Sequence, residues 1–205
     1  MGKKKEALQL ATPRQMWRNN LSTWNMRRLE AAKLAKEIVD LRNETTYSTA
    51  EKVDTAIGMY IRPSNLFIDI SERLYSALSQ LESKQAEMTE SVERMSAILS
   101  ECEVRSGQKN EPINVSQPGS IEEDKEMKVS EGPDADMDIE FLQTLLGSIT
   151  EQTLLEKNLC VSLRPPSDTS AMNLGINHDA AVTILACFSY APSLDETSLN
   201  LALEM

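Results

Sequence analysis

Apolar positions recur every three or four residues over three long stretches of the chain, which is the spacing of one face of an α-helix. The first stretch carries Trp17, Leu21, Trp24, Ala31, Ala35 and Ile38, with Leu34 and Leu41 widening the stripe. Arg27, Arg28, Lys33 and Lys36 fall mainly on the other side. Thr12 is a favoured N-cap residue, and Pro13 suits the first helical position because its missing N–H would have no intrahelical partner there. The pattern therefore predicts a helix from Thr12-Pro13 to about residue 42. A break is expected over Asn43 to Tyr47. Ser48-Thr49-Ala50-Glu51 then has the capping-box pattern, predicting a short helix over 49–61 with Val53, Ala56, Ile57 and Tyr60 on its apolar face. Pro63 ends it, since the residue before a proline avoids helical angles.

The second stretch is the longest. From Ser64 to about Arg105 there is neither Pro nor Gly. Phe67, Ile70, Leu74, Ala77 and Leu81 keep a coiled-coil rhythm, and Met88, Val92, Met95, Leu99 and Cys102 keep it again. Leu81 and Val92 are eleven residues apart, a stutter that relaxes a left-handed supercoil, with Lys84 and Gln85 inside it. Helix one can cover part of so long a seam, and partner helices are expected to cover the rest. Alone, such a chain is expected to be oligomeric, aggregation-prone or only partly helical.

Residues 106–136 change character. They hold no Leu and no aromatic residue, with eight acidic residues against three basic ones. A segment like this buries too little apolar surface to offset its ordering entropy, so it reads as a disordered acidic linker. The third periodic stretch follows, with Ile139, Leu142, Leu145, Leu146, Ile149 and Leu155 on one face and a stop at Arg164-Pro165-Pro166. Asn177 or Asp179 is placed to cap a further helix through Val182, Ile184, Leu185, Phe188 and Tyr190; a strand over 182–190 is the alternative. Pro192 stops it, and Ser193 or Asp195 starts a last helix with Leu199, Leu201 and Leu203. The predicted class is all-α. A flexible basic tail covers 1–11, a helical hairpin or coiled-coil region 12–105, the acidic linker 106–136, and a C-terminal helical region 137–205.

Composition narrows the chemistry. Aromatic residues are 4% of the 205, thin for a β-sandwich or barrel. Residues 1–42 carry ten Lys and Arg against four Asp and Glu, and the rest carry eleven against twenty-eight, for a net charge of −11. A chain this acidic is repelled by phosphate backbones, so direct nucleic-acid binding is not expected. No apolar run reaches the length of a membrane span, and the start, Met1-Gly2-Lys3-Lys4-Lys5, has no apolar core of a signal peptide. Cys102, Cys160 and Cys187 share no metal-ligand spacing and read as free, buried thiols of an intracellular protein. His178 is the single histidine, and it has no evident nucleophile to serve. Asp134, Asp136 and Asp138 alternate like the start of a calcium loop but lack its Gly and Glu. No phosphate-cradling glycine motif occurs. No enzyme, metal site or cofactor is expected.

What remains is interaction surface. Trp17 and Trp24, one heptad apart, are candidates for packing on the long helix or for a partner groove. Leu74, Leu81, Met88 and Met95 are the candidate partner-binding positions of the seam, and Phe188 and Tyr190 are the aromatic anchors of a C-terminal segment with no Lys or Arg over 178–205. Thr12, Ser116 and Ser120 sit in short kinase-like motifs, and Lys3-Lys4-Lys5 reads either as a minimal nuclear import signal or as a solvated tail.

Three stretches together resemble the cyclin-dependent kinase 2-interacting protein (CINP) family. They are Thr12-Pro13-Arg14 with Asn20 and Trp24; Glu72-Arg73-Leu74 through Leu78, Leu81, Met88 and Arg94-Met95-Ser96; and Asp179 through Val182-Thr183-Ile184, Tyr190, Pro192, Leu199 and Leu201. Tyr190 stands where that family has a tryptophan, and over 154–163, where the family has a basic segment, Lys157 is the sole basic residue. The resemblance implies a non-enzymatic nuclear adaptor. It further implies partners among cell-cycle and replication kinases, the replication-stress checkpoint, and a AAA+ ATPase assembly linked to ribosome maturation and replisome turnover. The competing expectation, from the seam alone, is a self-associating coiled-coil component of a kinetochore, centrosome or tethering complex.

Overall fold

A computed structural model describes residues 11–55, 65–108, 138–165 and 175–205, and among them the chain is all-α. Five helices follow in order: α1 (Pro13–Thr55), α2 (Asn65–Gln108), α3 (Ile139–Leu163), α4 (His178–Tyr190) and α5 (Glu196–Glu204). The tail 1–10, the stop at Pro63, most of the acidic linker, and Ser116 and Ser120 within it lie outside the described residues.

The caps explain the helix starts. Thr12 Oγ1 accepts from the Gln15 N–H at 3.3 Å, and Gln15 Oε1 accepts from the Thr12 N–H at 3.2 Å, a reciprocal capping box. Asp138 accepts from the Phe141 N–H at the start of α3. Asn177 accepts from the Asp179 N–H at the start of α4, where the extended alternative gives way to helix. Asp195 accepts from the Thr197 and Ser198 N–H groups at the start of α5. Those bonds, the Ser198 hydroxyl bond first, hold the Asp195 carboxyl below its ordinary range.

One expected boundary is absent. α1 runs unbroken through Asn43–Tyr47 to Thr55. Asn, Thr and Tyr are weak helix formers, but each costs only tenths of a kcal/mol relative to Ala, and no Pro or Gly interrupts the run. Helix propagation is cheap once a long helix exists.

Ion pairs fix the directions. Arg27 meets Glu87 at 2.5 Å and Lys84 meets Glu30 at 3.2 Å, so α1 and α2 are an antiparallel hairpin. Glu82 meets Arg164 at 2.6 Å, and Gln143 donates to Glu103, so α3 runs antiparallel to α2. Arg28 reaches Phe188 and Arg42 reaches Gly175, so α4 runs antiparallel to α1. The result is an up-down-up-down bundle whose fourth position is divided between α4 and α5.

The core is continuous through all five helices. Trp17, Leu21, Trp24 and Ile38 of α1 and Leu74, Leu81, Met88 and Met95 of α2 share one buried cluster with Ile149 and Leu163 of α3, Phe188 of α4 and Leu199 of α5. The N-terminal hairpin and the C-terminal helical region thus share one core. The hairpin alone would leave its second face open, and α3 and α4 close it, burying apolar surface on both sides of the sequence gap. The seam that was expected to need partner helices is covered from within.

Candidate functional site

Two prolines shape the C-terminal half by withholding N–H groups. Pro192 cannot donate to the carbonyl of Phe188, four residues earlier, so α4 ends there and that carbonyl is left without its helical donor. Arg28 of α1 supplies the substitute, its Nη1 donating to the Phe188 oxygen at 3.4 Å. Pro166 likewise cannot donate to Ser162 at the end of α3. Arg42 of α1 donates to the carbonyls of Ser162 (3.3 Å), Leu163 (3.0 Å) and, across the gap before α4, Gly175 (2.8 Å). Its burial lowers the Arg42 pKa from the ordinary value.

Between these two arginines lies a buried polar cluster. Glu156 of α3 has no solvent exposure at all. It accepts from Gln152 Nε2 at 2.7 Å and from Gln85 Nε2 of α2 at 3.3 Å. The second N–H of the Gln152 amide goes to the Cys187 carbonyl of α4 at 3.2 Å, and its Oε1 accepts the Ser193 N–H at 3.3 Å. Burial pushes the Glu156 carboxyl up to about 7, against the opposing hydrogen bonds of Gln152 and Gln85 and the charge of Arg28. One turn on, burial first and then Glu156 push the Cys160 thiol up to about 12, so it is unreactive. Trp24 Nε1 donates to Thr153 Oγ1 at 2.9 Å, and that hydroxyl donates to the Ile149 carbonyl. Trp17 Nε1 is buried with no partner.

The structure places the expected interaction residues unevenly. Trp17, Trp24, Leu74, Leu81, Met88, Met95 and Phe188 all lie inside the chain's own core. In the folded chain they face helices of the same molecule, because α3 and α4 occupy the groove a partner helix would fill. Tyr190 is the exception, 78% exposed. Thr12 is occupied as the α1 cap. Cys102 and Cys160 are buried and Cys187 is half-buried.

The polar cluster is what the sequence reading missed. Arg28 is 9% exposed, not on the outer side of α1. Its signal was spacing: Leu21, Arg28, Ala35 and Arg42 repeat every seven residues along the buried stripe. Gln152 and Glu156 are also one turn apart on the apolar face of α3, between Ile149 and Cys160. A charged or amide residue at a core register position is the mark of a buried network.

Outside this cluster, the described hollows are open. One of about 250 Å³ is lined by Thr12, Arg14, Gln15, Arg18 and Met205, and another of about 310 Å³ lies over Lys33, Lys36 and Arg73. Among the described residues, no group of His, Cys, Asp or Glu could hold a metal ion, and no helix is long and apolar enough to cross a membrane. The fold and its buried seam define an all-α bundle with a divided fourth helix. No protein-family model, curated protein or solved structure matches the chain.

Proposed function

We propose that this protein is a non-enzymatic interaction subunit that receives a partner protein on the outer face of α4 and α5. The observation that carries this reading is the surface of that segment. Val182, Tyr190 and Leu201 are each more than half exposed. Asp179, Asp195, Glu196 and Glu204 are exposed as well, and no Lys or Arg occurs from His178 to Met205. Exposed aromatic and aliphatic side chains in an acidic, cation-free surround suit a helical partner with a basic rim, since charge complementarity guides encounter and aromatic anchors supply affinity. The resemblance to the CINP family supports a nuclear adaptor working with cell-cycle kinases or a AAA+ ATPase assembly. The self-associating coiled coil is less well supported, because its seam, Leu74, Leu81, Met88 and Met95, is buried against α1 and α3.

The test is quantitative proximity labelling with the full chain against a Val182→Ser/Tyr190→Ser variant. Both positions are exposed, so the variant should keep the wild-type melting temperature. A specific set of partners lost from the variant supports the reading. An identical set from both chains removes this face from the account.

A further inference from the structure

We propose that Glu156 is a proton-carrying latch for the α4–α5 segment: it is a neutral carboxylic acid while that segment is seated on the α1/α2 hairpin and a carboxylate once the segment lifts away, so seating takes up one proton.

The surroundings of the carboxyl carry this inference. An ion buried without a counter-ion is costly, and such a group neutralises instead. From α1 the facing charge is Arg28, but it is directed at the Phe188 carbonyl, and no ion pair joins it to Glu156 among the described residues. From α2 the facing group is the neutral amide of Gln85. Its charged neighbours are engaged elsewhere, Lys84 with Glu30 and Glu87, and Glu82 with Arg164. From α3 come the Gln152 amide and the Cys160 thiol, which stays protonated. From α4 and the turn after it come only backbone groups, held through Gln152 and Arg28. The positive charge of Arg28 opposes the cost of burying a carboxylate here, and burial outweighs it.

The link to α4–α5 is Gln152, whose single amide group touches Glu156, the Cys187 carbonyl and the Ser193 N–H. The acid therefore lies beneath the turn that joins the two helices. Lifting α4–α5 breaks both backbone contacts of Gln152 and admits water to the carboxyl.

The sign follows. Because the seated state raises the carboxyl from 4.5 to about 7, the latch contributes fully below about pH 4.5 and loses its contribution as pH climbs through about 7. The test is carboxyl carbon NMR of the full chain labelled at Glu, recorded as a pH titration for wild type and Glu156→Gln. One Glu resonance should titrate near neutral pH and be missing from the variant. In urea unfolding, the wild-type folding constant should fall on the order of a hundred-fold between about pH 5 and pH 8, with most of that fall gone in Glu156→Gln. Hydrogen exchange of α4–α5 amides, corrected for its intrinsic pH dependence, should rise over the same range in wild type only. A Glu156 resonance titrating at about 4.3, the ordinary Glu value, overturns the proposal. So does a pH dependence shared by both chains. If Glu156→Gln does not fold, the wild-type titration still decides, since no Glu carboxyl titrating near neutrality means no latch.

Discussion

Arg42 shows how one residue on a helix stripe closes a tertiary joint. Its guanidinium has five donors in a rigid plane, and three carbonyls from two segments converge on it. The Ser162 oxygen is available because Pro166, four residues on, has no N–H to give it. Replacing Arg42 by Met keeps the bulk of the stem but removes the donor from the buried Leu163 carbonyl and from the partly buried bonds to Ser162 and Gly175. The expected loss is about 2–3 kcal/mol, read as a lower urea midpoint at unchanged m-value. Arg42→Lys should recover only part of it, because one ammonium cannot span all three oxygens. A loss below about 0.5 kcal/mol, the scale of an ordinary surface change, would mean that the joint is held by apolar packing alone. The same logic separates the two indoles: Trp24 is pinned to Thr153, whereas the Trp17 N–H is buried without a partner.

At the scale of elements, α3 packs on all four other helices and bears Gln152, Thr153 and Glu156. It also contains Gly147, exposed in mid-helix, with nothing within 4 Å of the place a Cβ would occupy. Gly147→Ala should therefore stabilise the protein by about 0.5–1 kcal/mol through reduced backbone entropy of the unfolded chain. Thermal melts of the two chains check this, and an unchanged or lower melting temperature would show that the glycine serves a contact or bend not seen here. Most element boundaries were legible in the sequence, because capping and proline effects are local. Asn177 and Asp195, each one of two candidate caps, start α4 and α5, and Arg164-Pro165 and Pro192 end α3 and α4. The break expected at Asn43–Tyr47 is absent because continuing a long helix through a few weak formers, with no Pro or Gly among them, costs little. The stutter in α2 was legible as a pattern but not as a purpose: it brings Gln85 into the core, 5% exposed, opposite Glu156. Nothing in α2 alone announces a partner seventy-one residues away.

At the scale of the molecule, the sequence marks which residues are buried but not what buries them. A periodic stripe fits a partner helix, a second copy or a distant helix of the same chain equally well. The structure brings α3 and α4 onto the hairpin, so that Trp17, Trp24, Leu74, Leu81, Met88, Met95 and Phe188 are core and the outer face of α4–α5 stays exposed. The central claim is that this seam is spent within one chain. Sedimentation velocity of the purified full-length protein over a wide concentration range tests it most directly. The account predicts a compact monomer at every concentration. A dimer that is lost when Leu81 and Met88 of α2 are changed to Ser, in a variant that stays helical, would contradict it.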